Sequence, residues 1–463
     1  MKHKGDKVDY GTFLKTKELQ TIRAGFSVDK RTINRHAFPF QRDVIAWALE
    51  KGKAAILTGC GTGKTFMQCE WARKVCEHTG GNVLIVAPLS VVDQTRREAE
   101  KFGIGKVKPC RTSEDVAAGI NITNYEMIEH FDASAFQGVV LDESSILKSF
   151  TSKTQSVMAE MFAKTPYKLL CTATIAPNDY TEIGTSCEFL GIMSRTEMLA
   201  TYFTHDGKDT SKWRLKRAGE RKFWEWFATW AMYFDSPAEL GYKVAGYDLP
   251  PLNIENIITK SETRELELIP IAAETLQERR EARKESLPDR VEWVKNACEN
   301  STEQWLVWCD FNYEADELRK SIPGAVEVRG SDAAETKARA SLDFADGKIK
   351  TLISKPTIFG FGSNFQLCHN MVFCGLSDSY EQFYQAVRRC WRFGQNKPVN
   401  VYVILSEREV NVLENIKRKQ KQMDNMQKKM TELMKSVTLS EIKHTTRITE
   451  EYKPYMEMAL PNF

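Results

Sequence analysis

The sequence predicts an α/β protein with two parallel-sheet lobes, a helical insertion between them and a C-terminal helix. Short apolar runs alternate with amphipathic stretches from Asp43 to about Thr174, and the same alternation returns from about Val291 to Leu405. Between these regions the sequence is charged, aromatic and mostly helical in pattern. Alternating strands and helices indicate parallel sheets that helices cover on both faces.

Short apolar runs place the individual strands. In the first region, runs of strand length lie at Ala54–Leu57, Val83–Ala87, Val139–Leu141 and Lys168–Thr172, with helical periodicity between them, as at Phe66–His78. In the second region, they lie at Trp305–Cys309, Ala325–Val328, Thr351–Ser354, Met371–Phe373 and Val399–Leu405. A further strand-like run, Ile254–Ile258, precedes the second region.

The 463 residues suit two or three domains. We expect an N-terminal extension at 1–35, a first lobe at 36–180, a helical insertion at 181–290, a second lobe at 291–410 and a basic helical tail at 411–463. The net charge is only +3, so any contact with a polyanion must come from local patches.

Composition also bears on the compartment. The eleven cysteines include no CxxC pair and no zinc-ligand spacing, so we expect reduced thiols in a cytoplasmic protein. The N-terminus lacks the apolar run of a signal peptide. No window approaches the roughly 18 apolar residues of a membrane span, so we expect no membrane contact.

A glycine-rich turn follows the first predicted strand and precedes a helix. Glycine lets consecutive backbone N–H groups turn inward around phosphate oxygens, and the helix N-terminus adds partial positive charge. The strict form of this pattern has glycine where the chain has Thr58. The pattern predicts that Lys64 pairs with β- and γ-phosphates and that Thr65 holds Mg²⁺. The predicted nucleotide-binding residues of the turn are Gly59, Cys60, Gly61, Thr62, Gly63, Lys64 and Thr65.

Two adjacent acids, Asp142 and Glu143, end the predicted strand Val139–Leu141. Ligands bind parallel sheets at the carboxyl edge, where these acids would lie. A strand followed by Asp-Glu is often only a solvated turn, but here it follows the glycine-rich turn by about 80 residues in a matching lobe. We expect Asp142 to hold Mg²⁺ through water, and Glu143 to orient and deprotonate the attacking water.

The segment Gln382–Gln395 is the most distinctive part of the second lobe. Arg389 and Arg392 are three residues apart, so a helix would place both on one face. Guanidinium groups that face a γ-phosphate act as arginine fingers, worth about 10³–10⁵ in rate. The alternative is a basic surface helix, which the flanking Gln385 disfavours.

In this order, the segments resemble superfamily II helicases, and the stretch Gln385–Gln395 most resembles the Swi/Snf-type DNA translocases. The resemblance covers roughly residues 36–175 and 300–405. It implies two RecA-like lobes that hydrolyse ATP between them, with Mg²⁺ as cofactor. Phe38–Gln41 resembles the adenine-recognition element of this family, with Gln41 reading the base.

Further segments resemble motifs that contact nucleic acid. Ala87–Ser90 and Ile122–Glu126 resemble the first-lobe motifs that touch the DNA backbone, and Cys171–Thr174 resembles the motif that couples hydrolysis to movement. Gly360–Gln366 resembles the second-lobe motif that touches DNA and nucleotide. The resemblance assigns coupling to Gln385, and it assigns nucleic-acid contacts to Ser90, Thr123, Thr172, Thr174, Asn364 and Gln366.

Several positions depart from the family pattern. Ser144 and Ser145 follow the acids, where the commonest variant has Ala-His. Arg388 stands where remodellers usually have an acid, and Trp391 replaces their histidine. These departures concern the subfamily and the substrate rather than the ATPase.

The resemblance implies an ATP-dependent nucleic-acid motor, above all a double-stranded DNA translocase. Two other functions stay open: a strand-separating helicase of replication or recombination, and a nucleotide-switched scaffold that recruits a nuclease or replisome partner.

Two segments outside the motifs have two interpretations each. The aromatic stretch Phe223–Phe234 is interpreted as a helix whose aromatic face packs in a core or, alternatively, stacks on bases or separates strands. The basic run before it, from Lys212 to Lys222, is either solvated or follows a phosphate backbone. The basic helix expected over Ile416–Lys435 packs its methionines on a lobe or on a protein partner.

Overall fold

The computed structural model describes residues 24–149, 152–173, 179–205, 213–259, 276–359 and 363–442. The helices before the second sheet are α1 (Pro39–Lys51), α2 (Lys64–Thr79), α3 (Val92–Lys101), α4 (Ser152–Met161), α5 (Ile183–Leu190), α6 (Arg195–Tyr202) and α7 (Glu220–Ala228). The helices that follow the first strand of the second sheet are α8 (Leu276–Glu285), α9 (Leu287–Glu299), α10 (Asn312–Ser321), α11 (Ala334–Ala345), α12 (Pro356–Phe359), α13 (Tyr380–Val387) and α14 (Val410–Ile442).

The strands lie between these helices. The first nine are β1 (Lys53–Thr58), β2 (Asn82–Ala87), β3 (Val107–Pro109), β4 (Ile120–Asn124), β5 (Phe136–Asp142), β6 (Tyr167–Thr172), β7 (Phe203–His205), β8 (Trp213–Leu215) and β9 (Ala231–Phe234). The rest are β10 (Leu252–Thr259), β11 (Trp305–Trp308), β12 (Val326–Glu327), β13 (Thr351–Ser354), β14 (Asn370–Phe373) and β15 (Val399–Ser406).

Seven of the described strands form the first sheet, in the order β3-β4-β2-β5-β6-β1-β9, and every neighbouring pair is parallel. Such a sheet is covered on both faces, so its strands are apolar nearly throughout. Along β1, Ala55 and Leu57 face one apolar cluster, while Ala54 and Ile56 face the other. Because all strands run the same way, the segments after β1 and β5 lie at one edge of the sheet.

The second sheet has the order β10-β15-β14-β11-β13-β12 and is also parallel throughout. A short antiparallel pair, β7 and β8, stands apart from both sheets. The predicted fold class, two parallel-sheet α/β lobes with a C-terminal helix, is confirmed.

The segment between the lobes differs from the helical insertion expected at 181–290. Helix α7 ends at Ala228, and β9 then pairs with β1 at the edge of the first sheet. Aromatic and apolar side chains favour a strand where they lie buried beside another strand. At the other end of the segment, β10 pairs with β15 along its whole length. Each sheet therefore takes a strand from this segment.

The aromatic stretch is core. Phe223 and Trp226 lie on α7, whereas Trp230 and Phe234 lie beyond its end, so the expected single helical face is wrong. All four side chains are at most 6% exposed. Trp226 stacks on Tyr202 with ring centroids 5.1 Å apart. This burial confirms the core interpretation and leaves no free ring face at Trp226 for base stacking.

Helix α14 packs back on the first lobe, although it follows the last strand of the second. Its methionines Met423, Met426, Met430 and Met434 are at most 5% exposed. At its far end, Lys51 of α1 pairs with Glu441 at 3.0 Å. This burial supports packing of the methionines on a lobe, and a partner contact through the rest of the helix stays a prediction.

Candidate ATP site between the lobes

The glycine-rich turn joins β1 to α2 at the carboxyl edge of the first sheet. Gly61 and Gly63 have φ of 89° and 88°, a region that side chains rarely adopt. The Nζ of Lys64, the first residue of α2, donates to the carbonyls of Thr58 and Gly59 at 2.8 and 3.2 Å. Its ammonium group therefore lies within the turn, at the helix N-terminus.

The remaining residues of the turn have distinct environments. Thr62 is 1% exposed, and its Oγ1 donates to the Gly59 carbonyl at 2.9 Å. Cys60 and Thr65 are half-buried. Gly63 has a positive φ, and a Cβ there would lie 2.3 Å from Nε2 of Gln41, so any other residue would be strained.

Gln41 ties the start of α1 to the turn. Its Oε1 accepts from the Phe38 N–H at 2.9 Å, and its Nε2 donates to the Thr62 carbonyl at 2.9 Å. The side chain is 4% exposed. Gln41 thus lies at the turn with its amide engaged by the protein, and its contact with the base stays a prediction.

The two predicted acids lie at the end of β5. Asp142 and Glu143 are 4% and 9% exposed, and Asp142 Oδ1 accepts from the Glu143 N–H at 3.0 Å. Glu143 has φ of 50° and is the one non-glycine residue with positive φ in the described chain. Such strained backbone persists where the surrounding structure enforces it, often at functional sites.

The electrostatics of the acid pair follow from burial. Burial raises the pKa of Asp142 to about 7, and the charge of Glu143 adds to this rise. The charge of Lys64 acts in the opposite direction. Oε2 of Glu143 is buried and has no hydrogen-bond partner among the described residues. The pair therefore favours a nearby cation, as a carboxylate site for Mg²⁺ does.

The two predicted arginines of the second lobe are not on a helix, which corrects the expectation from their spacing. Helix α13 ends at Val387, and the following residues form a turn. Nη1 of Arg389 and Nη1 of Arg392 still converge, since they donate to the same Ser363 carbonyl at 3.1 and 3.3 Å. Burial lowers the pKa of Arg392 to about 10, and the charge of Arg389 adds to this lowering.

The turn of the second lobe contacts the glycine-rich turn of the first. A Cβ on Gly61 would lie 3.0 Å from the Phe393 nitrogen and 3.6 Å from Cβ of Arg392. The Phe393 ring packs against Phe38 and Tyr247, with centroid separations of 6.2 and 4.7 Å. The structure thus brings the two predicted halves of the site together.

Two second-lobe glutamines lie near this contact. Gln385 is 1% exposed, and neither amide atom has a hydrogen-bond partner among the described residues. Oε1 of Gln366 accepts from Asn364 Nδ2 at 3.5 Å and would lie 2.9 Å from a Cβ on Gly394. Gln366 therefore touches the arginine-bearing turn.

The residues expected to contact nucleic acid differ in exposure. Asn364 is exposed, and Leu89, beside Ser90, is 68% exposed. Thr123 and Thr172 are 2% and 0% exposed, so both side chains are buried in this conformation, and their contact with nucleic acid stays a prediction. The Ser90 side chain and all of Thr174 lie outside the described parts of the chain.

The polar groups of the site fit a nucleotide with a divalent cation. Besides Glu143 Oε2 and the Gln385 amide, Nε of Arg392 is buried without a partner among the described residues. The described residues contain no group of three or more His, Cys, Asp or Glu side chains that could hold a metal. A cation held by Thr65 and Asp142 would therefore take most of its ligands from phosphates and water, as Mg²⁺ does.

Sequence reasoning missed Asp235 and Phe393. Asp235 follows β9 and would lie 2.2 Å from a Cβ on Gly59. One signal was present for each: an acid directly after an apolar run, and an aromatic residue between Arg392 and Gly394.

Comparisons with known proteins agree with this geometry. Residues 259–394 match the family model of the helicase conserved C-terminal domain. No curated protein matches the chain. The solved structure of S. cerevisiae Dbp5 bound to RNA and ADP BeF3 has a TM-score of 0.54 at 12% identity, over 86% of this chain and 93% of that chain. At this identity the likeness shows the fold alone.

No helix in the described ranges has the length and apolar character of a membrane span. Residues 259–394, most of which lie in the second lobe, are similar to the helicase conserved C-terminal domain, and both lobes together have the helicase fold. Together these similarities support an ATP-hydrolysing enzyme with a helicase C-terminal domain.

Proposed function

We propose that the protein hydrolyses Mg²⁺-ATP between its lobes and uses the cycle to move along double-stranded DNA. The observation that carries the ATP site is the contact of Gly61 with Arg392 and Phe393, which joins the glycine-rich turn to the arginines. Phosphoryl transfer needs mainly positioning and charge stabilisation, and the two lobes supply groups of both kinds.

Each polar group has a proposed role. Lys64 pairs with the β- and γ-phosphates, and Thr65 and Asp142 hold the cation. Glu143 orients and deprotonates the attacking water. Arg389 and Arg392 stabilise charge on the γ-phosphoryl oxygens in the transition state. When bound, Mg²⁺ neutralises phosphate charge.

The nucleic-acid contacts are proposed from the resemblance and from exposure. Ser90, Asn364 and Gln366 are proposed to contact the phosphate backbone. For Thr123 and Thr172, burial supports a role in holding these segments in place rather than direct contact. Gln385, with its unpartnered amide beside the arginine-bearing turn, is proposed to couple hydrolysis to movement.

Double-stranded DNA is proposed as the track because Gln385–Gln395 resembles the corresponding stretch of Swi/Snf-type translocases. RNA is the second candidate, favoured by the similar fold of Dbp5, whose structure is bound to RNA. Backbone contacts predict sequence-tolerant and salt-sensitive binding in either case. All eleven cysteines are free thiols, which suits a reducing compartment such as the cytoplasm.

The deciding experiment measures ATP hydrolysis with matched lengths of duplex DNA, single-stranded DNA and RNA at one salt concentration. We expect duplex DNA to stimulate turnover most. Stimulation by RNA alone would replace DNA by RNA as the track, and no turnover with any of the three would contradict a nucleic-acid motor.

A strand-separating wedge at Trp226 is not supported, because this side chain is 6% exposed and packed in the core. Trp226→Ala is expected to destabilise the fold by about 3–5 kcal/mol, since the site loses a large buried ring. A nucleotide-switched scaffold predicts tight, ATP-dependent partner binding that survives Glu143→Gln.

A further inference from the structure

Arg388, which precedes the two site arginines, contacts the first lobe. Its Nη2 lies 3.7 Å from Oδ2 of Asp235, and its side chain is 10% exposed. Its guanidinium carbon lies 4.4 Å from the ring centroid of Trp391 and 5.1 Å from that of Tyr384. Two aromatic rings and a carboxylate therefore hold this cation in one orientation.

Asp235 connects Arg388 to the glycine-rich turn. It follows β9, the strand that the first sheet takes from the segment between the lobes. A Cβ on Gly59 would lie 2.2 Å from Oδ1 of Asp235, so this oxygen is packed against the turn. Oδ1 is buried and has no hydrogen-bond partner in the described parts of the chain. Oδ1 of Asp235 thus faces the glycine-rich turn, and Oδ2 faces the second lobe.

The pair differs from an ordinary surface ion pair, because its arginine is buried. Burial opposes the charge of Arg388, yet Tyr384 and Asp235 keep its pKa above the ordinary value. Loss of one partner would leave a buried charge without compensation, which proteins avoid by rearranging. Such a rearrangement would shift the turn that carries Arg388 away from Asp235.

We infer that Asp235 and Arg388 form an interlobe clamp. The clamp positions Arg389 and Arg392 at the glycine-rich turn. This inference rests on the proposed hydrolysis of ATP at this site. Arg388 lies in the same turn as the two site arginines, so its attachment to the first lobe fixes that turn. Asp235 and Arg388 are positioning residues and need not touch the nucleotide.

A double-mutant cycle tests the clamp, with Asp235→Asn, Arg388→Gln and the double variant. Each single change is expected to lower kcat by about 10- to 100-fold, because misplacement of catalytic groups by about 1 Å costs this much. KM for ATP is expected to stay within about twofold, since neither Lys64 nor any residue of the glycine-rich turn is substituted. The double variant should lose no more than the worse single variant, because either change breaks the same pair.

Arg408→Gln is the matched control. Arg408 pairs with Glu285 at 3.0 Å, with side chains 9% and 37% exposed, against 10% and 38% for Arg388 and Asp235. Both control residues lie in or beside the second lobe, so breaking their pair leaves the lobe contact intact. We expect kcat of Arg408→Gln within about twofold of wild type, even where its melting temperature falls.

Fold reductions that multiply in the double variant, or wild-type turnover in either single variant, would overturn the clamp. An equal loss of kcat in Arg408→Gln would also overturn it, since the loss would then follow from stability alone. A wild-type protein without ATP hydrolysis contradicts the proposed function instead, so the two failures are distinguishable.

Discussion

In the first lobe, the candidate catalytic groups follow directly on buried strands, whereas in the second lobe they lie in a turn beyond the end of a helix. Asp142 ends β5, and Lys64 begins the helix after β1, so one sheet fixes both. Arg389 and Arg392 both donate to the Ser363 carbonyl. Their distance from the glycine-rich turn depends on how the two lobes contact each other. We therefore expect nucleotide binding to depend on the first lobe alone and turnover to require both lobes.

Removal of the Lys64 ammonium group from the first lobe should have the largest effect on nucleotide binding. Lys64→Ala is expected to abolish nucleotide binding, and turnover with it, because the phosphates lose their charge-assisted partner. Titration with a fluorescent ATP analogue measures this. Lys53→Ala, at the opposite end of β1, is the control and should bind normally. Normal binding by Lys64→Ala would contradict the placement of the phosphates.

Removal of one arginine side chain from the second lobe should lower turnover without weakening nucleotide binding. Arg389→Ala or Arg392→Ala is expected to cut kcat by about two orders of magnitude or more, with little change in nucleotide affinity. Steady-state hydrolysis and analogue titration on the same variants measure both quantities. An equal loss of affinity would mean that the second lobe also binds the ground state, and the contrast between the lobes would disappear.

A single added methyl group at Gly61 perturbs the contact between the two lobes more mildly. Gly61→Ala places a Cβ 3.0 Å from the Phe393 nitrogen, whereas Gly80→Ala meets nothing within 4 Å, although both glycines have positive φ. Both changes should cost about 1–2 kcal/mol of stability from backbone strain. Only Gly61→Ala should also reduce turnover, as stopped-time hydrolysis assays would show. Equal turnover in the two variants would mean that the contact is not needed.

The smallest expected effect is the pH dependence of stability from Asp142. Its pKa rises from 3.8 to about 7 on folding, so the folded protein binds the proton more tightly. The stabilisation from this proton is complete below pH of about 4 and is lost as the pH rises through about 7. Without nucleotide and Mg²⁺, the melting temperature of the wild type should therefore fall from pH 5 to pH 8 relative to Asp142→Asn. Parallel curves for the two proteins would contradict the raised pKa.

The parts of the fold and site that could be predicted from the sequence lie within short, continuous segments. The turn around Lys64 and the acids Asp142 and Glu143 each lie within a short strand-and-turn pattern, and the structure brings them to one sheet edge. The predicted fold class depends on the same local alternation of strands and helices. Their catalytic roles stay predictions.

The parts that could not be predicted depend on tertiary contacts. The apolar run of β9 suits a helix or a strand, and only its place beside β1 decides between them. Arg389 and Arg392 were expected on a helix because their spacing fits one, but α13 ends at Val387 and the turn reaches the first lobe. Asp235 gains its contact with Gly59 only once β9 joins the first sheet.

The central claim is that one nucleotide is held from both lobes. A crystal structure of Glu143→Gln with Mg²⁺-ATP tests it most directly, because this variant should bind ATP without turning it over. We expect the γ-phosphate to lie between Lys64 Nζ and the guanidinium group of Arg389 or Arg392, each within hydrogen-bond distance, about 3 Å. ATP bound at the glycine-rich turn with both guanidinium groups facing away from it would contradict the claim.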